Sequence, residues 1–173
     1  REGVAPEQIL AVTFTNKAAL EMRERIKKIL GEAVPSQLEQ LPFVGTFHSL
    51  GVHLLREHGH LLGVPKQFTI LDREDTVKLF KELCAELEVN TELYDPESMR
   101  SVMSRLKNEC VGPVSSEERS SSPFETLVAR LYAAYESRLH AMRACDFDDL
   151  LMKPVLLLEN HRDVLEYWQN RWS

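Results

Sequence analysis

The sequence predicts an α/β fold that is predominantly helical, a small parallel sheet interrupted by a long helical insertion. Three observations predict it. Residues 9 to 16 run from a nearly continuous apolar stretch through hydroxyl side chains into a helical pattern, and residues 43 to 50, FVGTFHSL, do so again. Residues 66 to 144 then carry helical periodicity almost throughout. The chain accordingly divides into 1–65 and 145–173, which supply an α/β core, and 66–144, a helical insertion.

Taken in order, Ile9, Leu10, Ala11, Val12 and Phe14 read as a strand buried on both faces. Asn16 is placed to cap a helix from Lys17 to about residue 30, with Ala18, Met22, Ile26 and Ile29 inward and Gly31 as its stop. Pro35 and Pro42 bracket a loop. A helix from about His48 to Leu62 follows the second strand, then an extended piece from Phe68 to Leu71. Asp72 caps a helix to about Leu87 that buries Val77, Phe80, Leu83, Cys84 and Leu87. Asp95-Pro96-Glu97 is a cap with proline in the first turn, opening a helix that carries Met99, Val102, Met103, Leu106 and Cys110. The Ser-rich stretch 111–123, VGPVSSEERSSSP, reads as a mobile loop, its Ser121, Ser122, Glu117 and Glu118 serving solvation. Phe124 to Arg143 is a long amphipathic helix on Leu127, Leu131, Ala134, Tyr135, Leu139 and Met142. Asp146 caps a helix through about Glu159, bent at Pro154, with Phe147 and Leu150 toward the core. A last helix spans Asp163 to Trp172.

A strand that ends in hydroxyls and opens directly into a helix makes an anion site, because the first N–H groups of a helix lack intrahelical partners. Thr13, Thr15, Asn16 and Lys17 stand at the first such junction, Thr46, Phe47, His48 and Ser49 at the second. Phe14 has two readings, a core aromatic at a strand end or a ring that stacks on a base. Asp146, Asp148 and Asp149 suggest a metal cluster, but cap and helix-dipole roles account for them better. His48, His53, His58 and His60 do not converge on a metal, since steps of five residues turn roughly 140° around a helix.

TFTNKAA followed by EM, then GTFHS about thirty residues later, resembles motifs Ia and Ib of UvrD/Rep/PcrA-like superfamily 1 DNA helicases, in the right order. FTILD at 68–72, KNE at 107–109 and DFDDLL at 146–151 resemble later landmarks of that family. The resemblance implies an incomplete RecA-like (P-loop NTPase) domain, 1A, interrupted by a helical subdomain, 1B. It implies that Thr13, Phe14, Thr15, Asn16, Lys17, Thr46, Phe47, His48 and Ser49 contact single-stranded DNA, with Phe14 stacking. It also implies a parent protein that uses ATP and Mg²⁺ to move 3′ to 5′ along DNA in repair or replication. No GxxxxGK[ST] string occurs in the 173 residues. The chain is therefore expected to be a fragment lying between the two halves of the ATP site, with no bound cofactor and no catalytic residue of its own.

Net charge is −6, unusual for a nucleic-acid binder, but its distribution matters more. Residues 1–66 hold eight Lys/Arg against seven Asp/Glu, and the acidic excess falls after them, away from both junctions. Binding to DNA should be weak and salt-sensitive. The acidic later part supports an alternative, a helical protein-interaction module of a helicase-like protein; a second is the helicase part of a helicase–nuclease. No apolar run approaches a membrane span, and three scattered cysteines fit a reducing cytoplasm rather than a disulfide framework. Repair or replication proteins are the expected protein partners, and exposed sheet edges would favour a dimer.

Overall fold

The computed structural model describes residues 5–30 and 42–172. The helix stop at Gly31 and the start of the loop at Pro35 lie outside them.

Strand β1 (Leu10–Thr13) pairs in parallel with β2 (Phe43–Thr46), Leu10 opposite Phe43 and Thr13 opposite Thr46. Burial of β1 on both faces is not realised: its four residues are half-buried and Ile9 is exposed. The cause is its neighbourhood, since β2 is its one partner among the described residues. Helix α1 (Asn16–Leu30) crosses this pair. Its cap is Thr15 rather than Asn16, because the chain leaves the strand earlier than expected; Thr15 Oγ1 accepts from the Ala18 N–H at 3.2 Å. Arg23 clamps the helix to the sheet by donating from Nε and a terminal nitrogen to the Val44 carbonyl, at 2.9 and 2.6 Å. Ala19 is buried, but Ile29 is 82% exposed, against expectation. A 15-residue helix is about 22 Å long and a four-residue strand about 13 Å, so the last turn outruns the sheet.

Helix α2 (Phe47–His58) follows β2 without a gap and closes in a 3₁₀ turn at Gly59–Leu62. β3 (Thr69–Ile70) then leads into α3 (Arg73–Glu86), α4 (Pro96–Asn108), α5 (Pro113–Glu118), α6 (Pro123–Ala141), β4 (Ala144–Cys145), α7 (Asp149–Asn160) and α8 (Arg162–Arg171). The caps at Asp72 and Asp95 form as expected, accepting from the Asp75 and Ser98 N–H groups. Val77 is only half-buried, and Thr76, Leu79, Phe80, Leu83 and Cys84 form the inner face of α3. Cys110 lies beyond α4, in left-handed backbone at φ 56°.

The stretch expected as a mobile loop contains α5. Proline in its first turn follows Gly112, the Ser116 N–H reaches the Gly112 carbonyl at 2.9 Å, and Ser116 is buried. The serines beyond it are cap chemistry: Ser122 Oγ accepts from the Glu125 N–H, and the Glu125 carboxylate accepts from Ser121 N–H and Oγ. Hydrogen bonding to Ser121 also holds the Glu125 carboxyl below its ordinary value. Met142 falls past the end of α6 and is exposed.

β3 pairs in parallel with β4, Thr69 opposite Ala144, which ties the start of the helical stretch to its end. Between them α3, α4 and α6 enclose a core containing Leu71, Phe80, Met99, Leu131 and Tyr135. Leu55, Phe68, Cys145 and Leu150 form a second core; Leu54, Leu157, Val164 and Trp168 form a third. Burial pushes the Cys145 thiol up to about 12, so it stays protonated.

Helices α2 and α7 touch at Gly51, where an added Cβ would collide with the Leu150 carbonyl oxygen. Gly51→Ala must push α7 away, so it should cost about 1–3 kcal/mol of stability in urea denaturation. An unchanged midpoint would show that the two helices separate freely.

Candidate nucleic-acid interface

Parallel strands deliver their carboxyl ends to one edge, and in α/β proteins ligands gather there. With Thr13 opposite Thr46, both strand-to-helix junctions open on that edge side by side. Phe14 follows β1 in a bend and is 86% exposed. Its ring centroid lies 5.2 Å from that of Phe47, the first residue of α2. The next residue, His48, lies 5.4 Å from Phe147. Phe14, Phe47, His48 and Phe147 thus form an aromatic row along the strand ends.

Thr15, Asn16 and Lys17 are exposed beside this row, with Thr13 half-buried behind them. Thr46 and Ser49 are engaged with each other. Thr46 Oγ1 accepts from the Ser49 N–H at 3.1 Å, and Ser49 Oγ accepts from the Thr46 N–H at 2.7 Å. This capping box fixes where Phe47 and His48 leave the sheet. Thr46 is buried, whereas Ser49 remains exposed.

Phe147, expected in the core, is 52% exposed. The reason is its neighbours. Asp146 and Asp149 are buried and bond to each other across the turn that opens α7, whose N-cap is Asp148 rather than the expected Asp146: Asp146 Oδ1 accepts from the Asp149 N–H at 2.8 Å, and Asp149 Oδ2 from the Asp146 N–H at 3.2 Å. Both carboxylates bind Lys107 Nζ, at 2.9 and 3.0 Å. Lys107 comes from α4, is fully buried, and also meets Glu136 of α6 at 2.6 Å. Lys153 completes the cluster through Glu136 and Asp149. With the two aspartates turned in, the ring between them turns out.

Three carboxylates against two ammonium groups leave the cluster short of positive charge, and Lys107, Lys153 and Asp149 hold their protons more tightly than usual. Burial alone would lower Lys107, but Asp149, Asp146 and Glu136 outweigh it and raise it well above the usual lysine value. Lys153 is raised for the same reason. Burial, opposed by Lys107, pushes the Asp149 carboxyl up. The Tyr135 hydroxyl donates to Asp146 at 3.0 Å, and burial raises its pKa strongly.

A cleft of about 460 Å³ opens beside Phe147, with Arg73, Arg100, Ser104 and Tyr135 in its walls. The two arginines share Glu97, at 3.5 and 3.7 Å. The histidines go separate ways: His53 packs on Phe43 and Trp168, His58 on Tyr167 and Trp168. Burial lowers the His53 pKa, with Arg171 adding to the effect and Glu57 opposing it. Among the described residues no group of three or more His, Cys, Asp or Glu is placed to hold a metal ion.

The parallel strands, paired helix starts and landmark segments mark a helicase domain, and the chain belongs to the UvrD/REP helicase N-terminal domain family, whose model matches residues 1–173. Among its relatives, the ATP-dependent DNA helicase PcrA of Leuconostoc citreum is 38% identical over 98% of this chain and 22% of its own length. The PcrA proteins of Staphylococcus aureus (strain Mu50) and Staphylococcus epidermidis are each 34% identical, over 98% of this chain and 23% of theirs. The chain thus spans less than a quarter of these relatives.

Of the residues named from sequence, Phe14, Phe47 and His48 come together, with Thr15, Asn16 and Lys17 beside them. Phe147 and Lys107 were missed. Their signals were the DFDDLL and KNE segments, which the structure joins through the Lys107 ion pairs.

Proposed function

We propose that this chain is the strand-gripping part of an ATP-dependent DNA helicase that moves 3′ to 5′ and works in repair or replication in the cytoplasm. The observation that carries the reading is the aromatic row on the carboxyl ends of two parallel strands. Rings stack on bases without regard to sequence, and the helix starts beside them offer N–H groups, Lys17 and hydroxyls to phosphates. Thr13, Phe14, Thr15, Asn16, Lys17, Thr46, Phe47, His48 and Ser49 make up this track, Thr46 by ordering the turn, and Phe147 extends it. Residues 1–65 and 145–173 belong to a RecA-like domain 1A, and 66–144 to a helical subdomain 1B that faces the junction of single and double strands.

ATP and Mg²⁺ are assigned to the parent protein, and neither is expected bound to this chain, since no GxxxxGK[ST] string occurs in its 173 residues. No step of the strand contact passes through them. Repair or replication proteins remain the expected protein partners, and pairing of two copies through the open edges of the β1–β2 pair is a further expectation.

The test is fluorescence anisotropy of a labelled single-stranded oligonucleotide with the full-length protein, at two salt concentrations. Binding should be indifferent to sequence, weaken as salt rises, and weaken again in the Phe14→Ala, His48→Ala variant. A variant that binds like the parent would overturn the reading.

A further inference from the structure

We propose that Ser104, Lys107 and Asn108 of α4 are positioning residues for the nucleic-acid track, holding the 146–149 turn so that Phe147 projects into the aromatic row. The inference rests on the proposed strand-gripping role and adds the device that sets one of its rings.

Three residues on one face of α4 reach three aspartates of one turn. Lys107 Nζ binds Asp146 at 2.9 Å and Asp149 at 3.0 Å. Ser104 Oγ donates to Asp148 at 2.7 Å, and Asn108 Nδ2 donates to the other oxygen of Asp148 at 3.2 Å. Residues 104, 107 and 108 follow i, i+3, i+4, so one helical face makes every contact. The turn is held on both sides of Phe147, and Phe147 is its one residue left exposed. Its ring lies against His48, so the position of α4 decides where that end of the row stands. A helix of the 66–144 stretch thereby sets a ring on the strand edge formed by residues 10–13 and 43–46. Movement of α4 relative to α7 would move that ring.

Lys107 is too deeply buried for a clean test, but the Ser104 and Asn108 contacts to Asp148 lie nearer the surface. The experiment compares Ser104→Ala/Asn108→Ala, Phe147→Ala, the triple variant and Phe14→Ala, all in the full-length protein. Each is titrated with a labelled oligothymidylate strand and unfolded in urea. The double variant should bind about three- to tenfold more weakly with an unchanged unfolding midpoint, and the same pair should add nothing in the Phe147→Ala background. An equal loss in both backgrounds, or no loss in either, overturns the positioning role. Weakening by Phe147→Ala but not by the double variant overturns this inference alone. If neither Phe147→Ala nor Phe14→Ala weakens binding, the strand-gripping reading fails and this inference with it.

Discussion

Replacing Lys107 with methionine should destabilise the protein by about 3–5 kcal/mol, because a buried pair broken on one side leaves an uncompensated charge. The substitution roughly keeps the volume of the side chain, so packing alone predicts far less. What it removes is the ammonium on which Asp146, Asp149 and Glu136 converge at 2.6–3.0 Å. It also removes a cation 5.0 Å from the Tyr135 ring centroid. A domain of this size has about 5–15 kcal/mol of stability in all, so the loss is a large fraction of it. The pH dependence identifies the cause. Without Lys107 the attraction that opposes burial at Asp149 is lost, so its carboxyl, already raised in the parent, rises further above the unfolded value of about 4. Between those values the folded variant binds more protons than the unfolded chain, so its stability rises as pH falls. Urea midpoints of parent and variant at pH 8 and pH 5 should therefore converge toward pH 5. A gap of equal size at both would show that lost packing, not stranded charge, is responsible. In the parent the same sign holds at the alkaline end. Lys107 and Lys153 have raised folded pKa values, so their contribution is complete below the unfolded lysine value of about 10.4 and is lost as pH climbs through the folded values.

The sequence was readable wherever a local rule decided the outcome. Asp72 and Asp95 cap the helices expected of them, since a cap needs only a carboxylate and the N–H three residues on. The two junctions lie side by side because strands in a small parallel sheet have few other choices. Phe14 shows where local rules stop. Its pattern fits a core strand as well as an exposed ring, and only the bend after Thr13 separates the two. Phe147 failed for a reason remote in the chain, a lysine 40 positions earlier that pulls Asp146 and Asp149 inward. Lysine is seldom buried, so no periodicity could mark Lys107 as a core residue. The Ser-rich stretch failed differently. Its composition suggests a loop, but Gly112-Pro113 and the Ser122 cap are helix punctuation at close range. The β3–β4 pairing was invisible because two residues per strand carry no alternation to read.

The double variant Phe14→Ala/Phe147→Ala separates binding from folding most widely. Each stacked base is worth about 1–3 kcal/mol, so losing both rings should weaken single-strand binding by about 2–6 kcal/mol, from some thirtyfold to loss of measurable binding. Stability should barely move. Phe14 is 86% exposed and Phe147 52%, and neither belongs to the three cores. A core phenylalanine cut to alanine would cost about 3–5 kcal/mol of folding free energy instead. The two readings of Phe14, core aromatic or stacking platform, therefore predict opposite patterns in the same pair of measurements. Salt decides how the loss divides. The variant keeps Lys17 and the helix starts, so its residual affinity should fall with rising salt as steeply as the parent's. A shallower slope would mean that the rings also place the phosphates, and the row would then order the backbone of the strand as well as its bases.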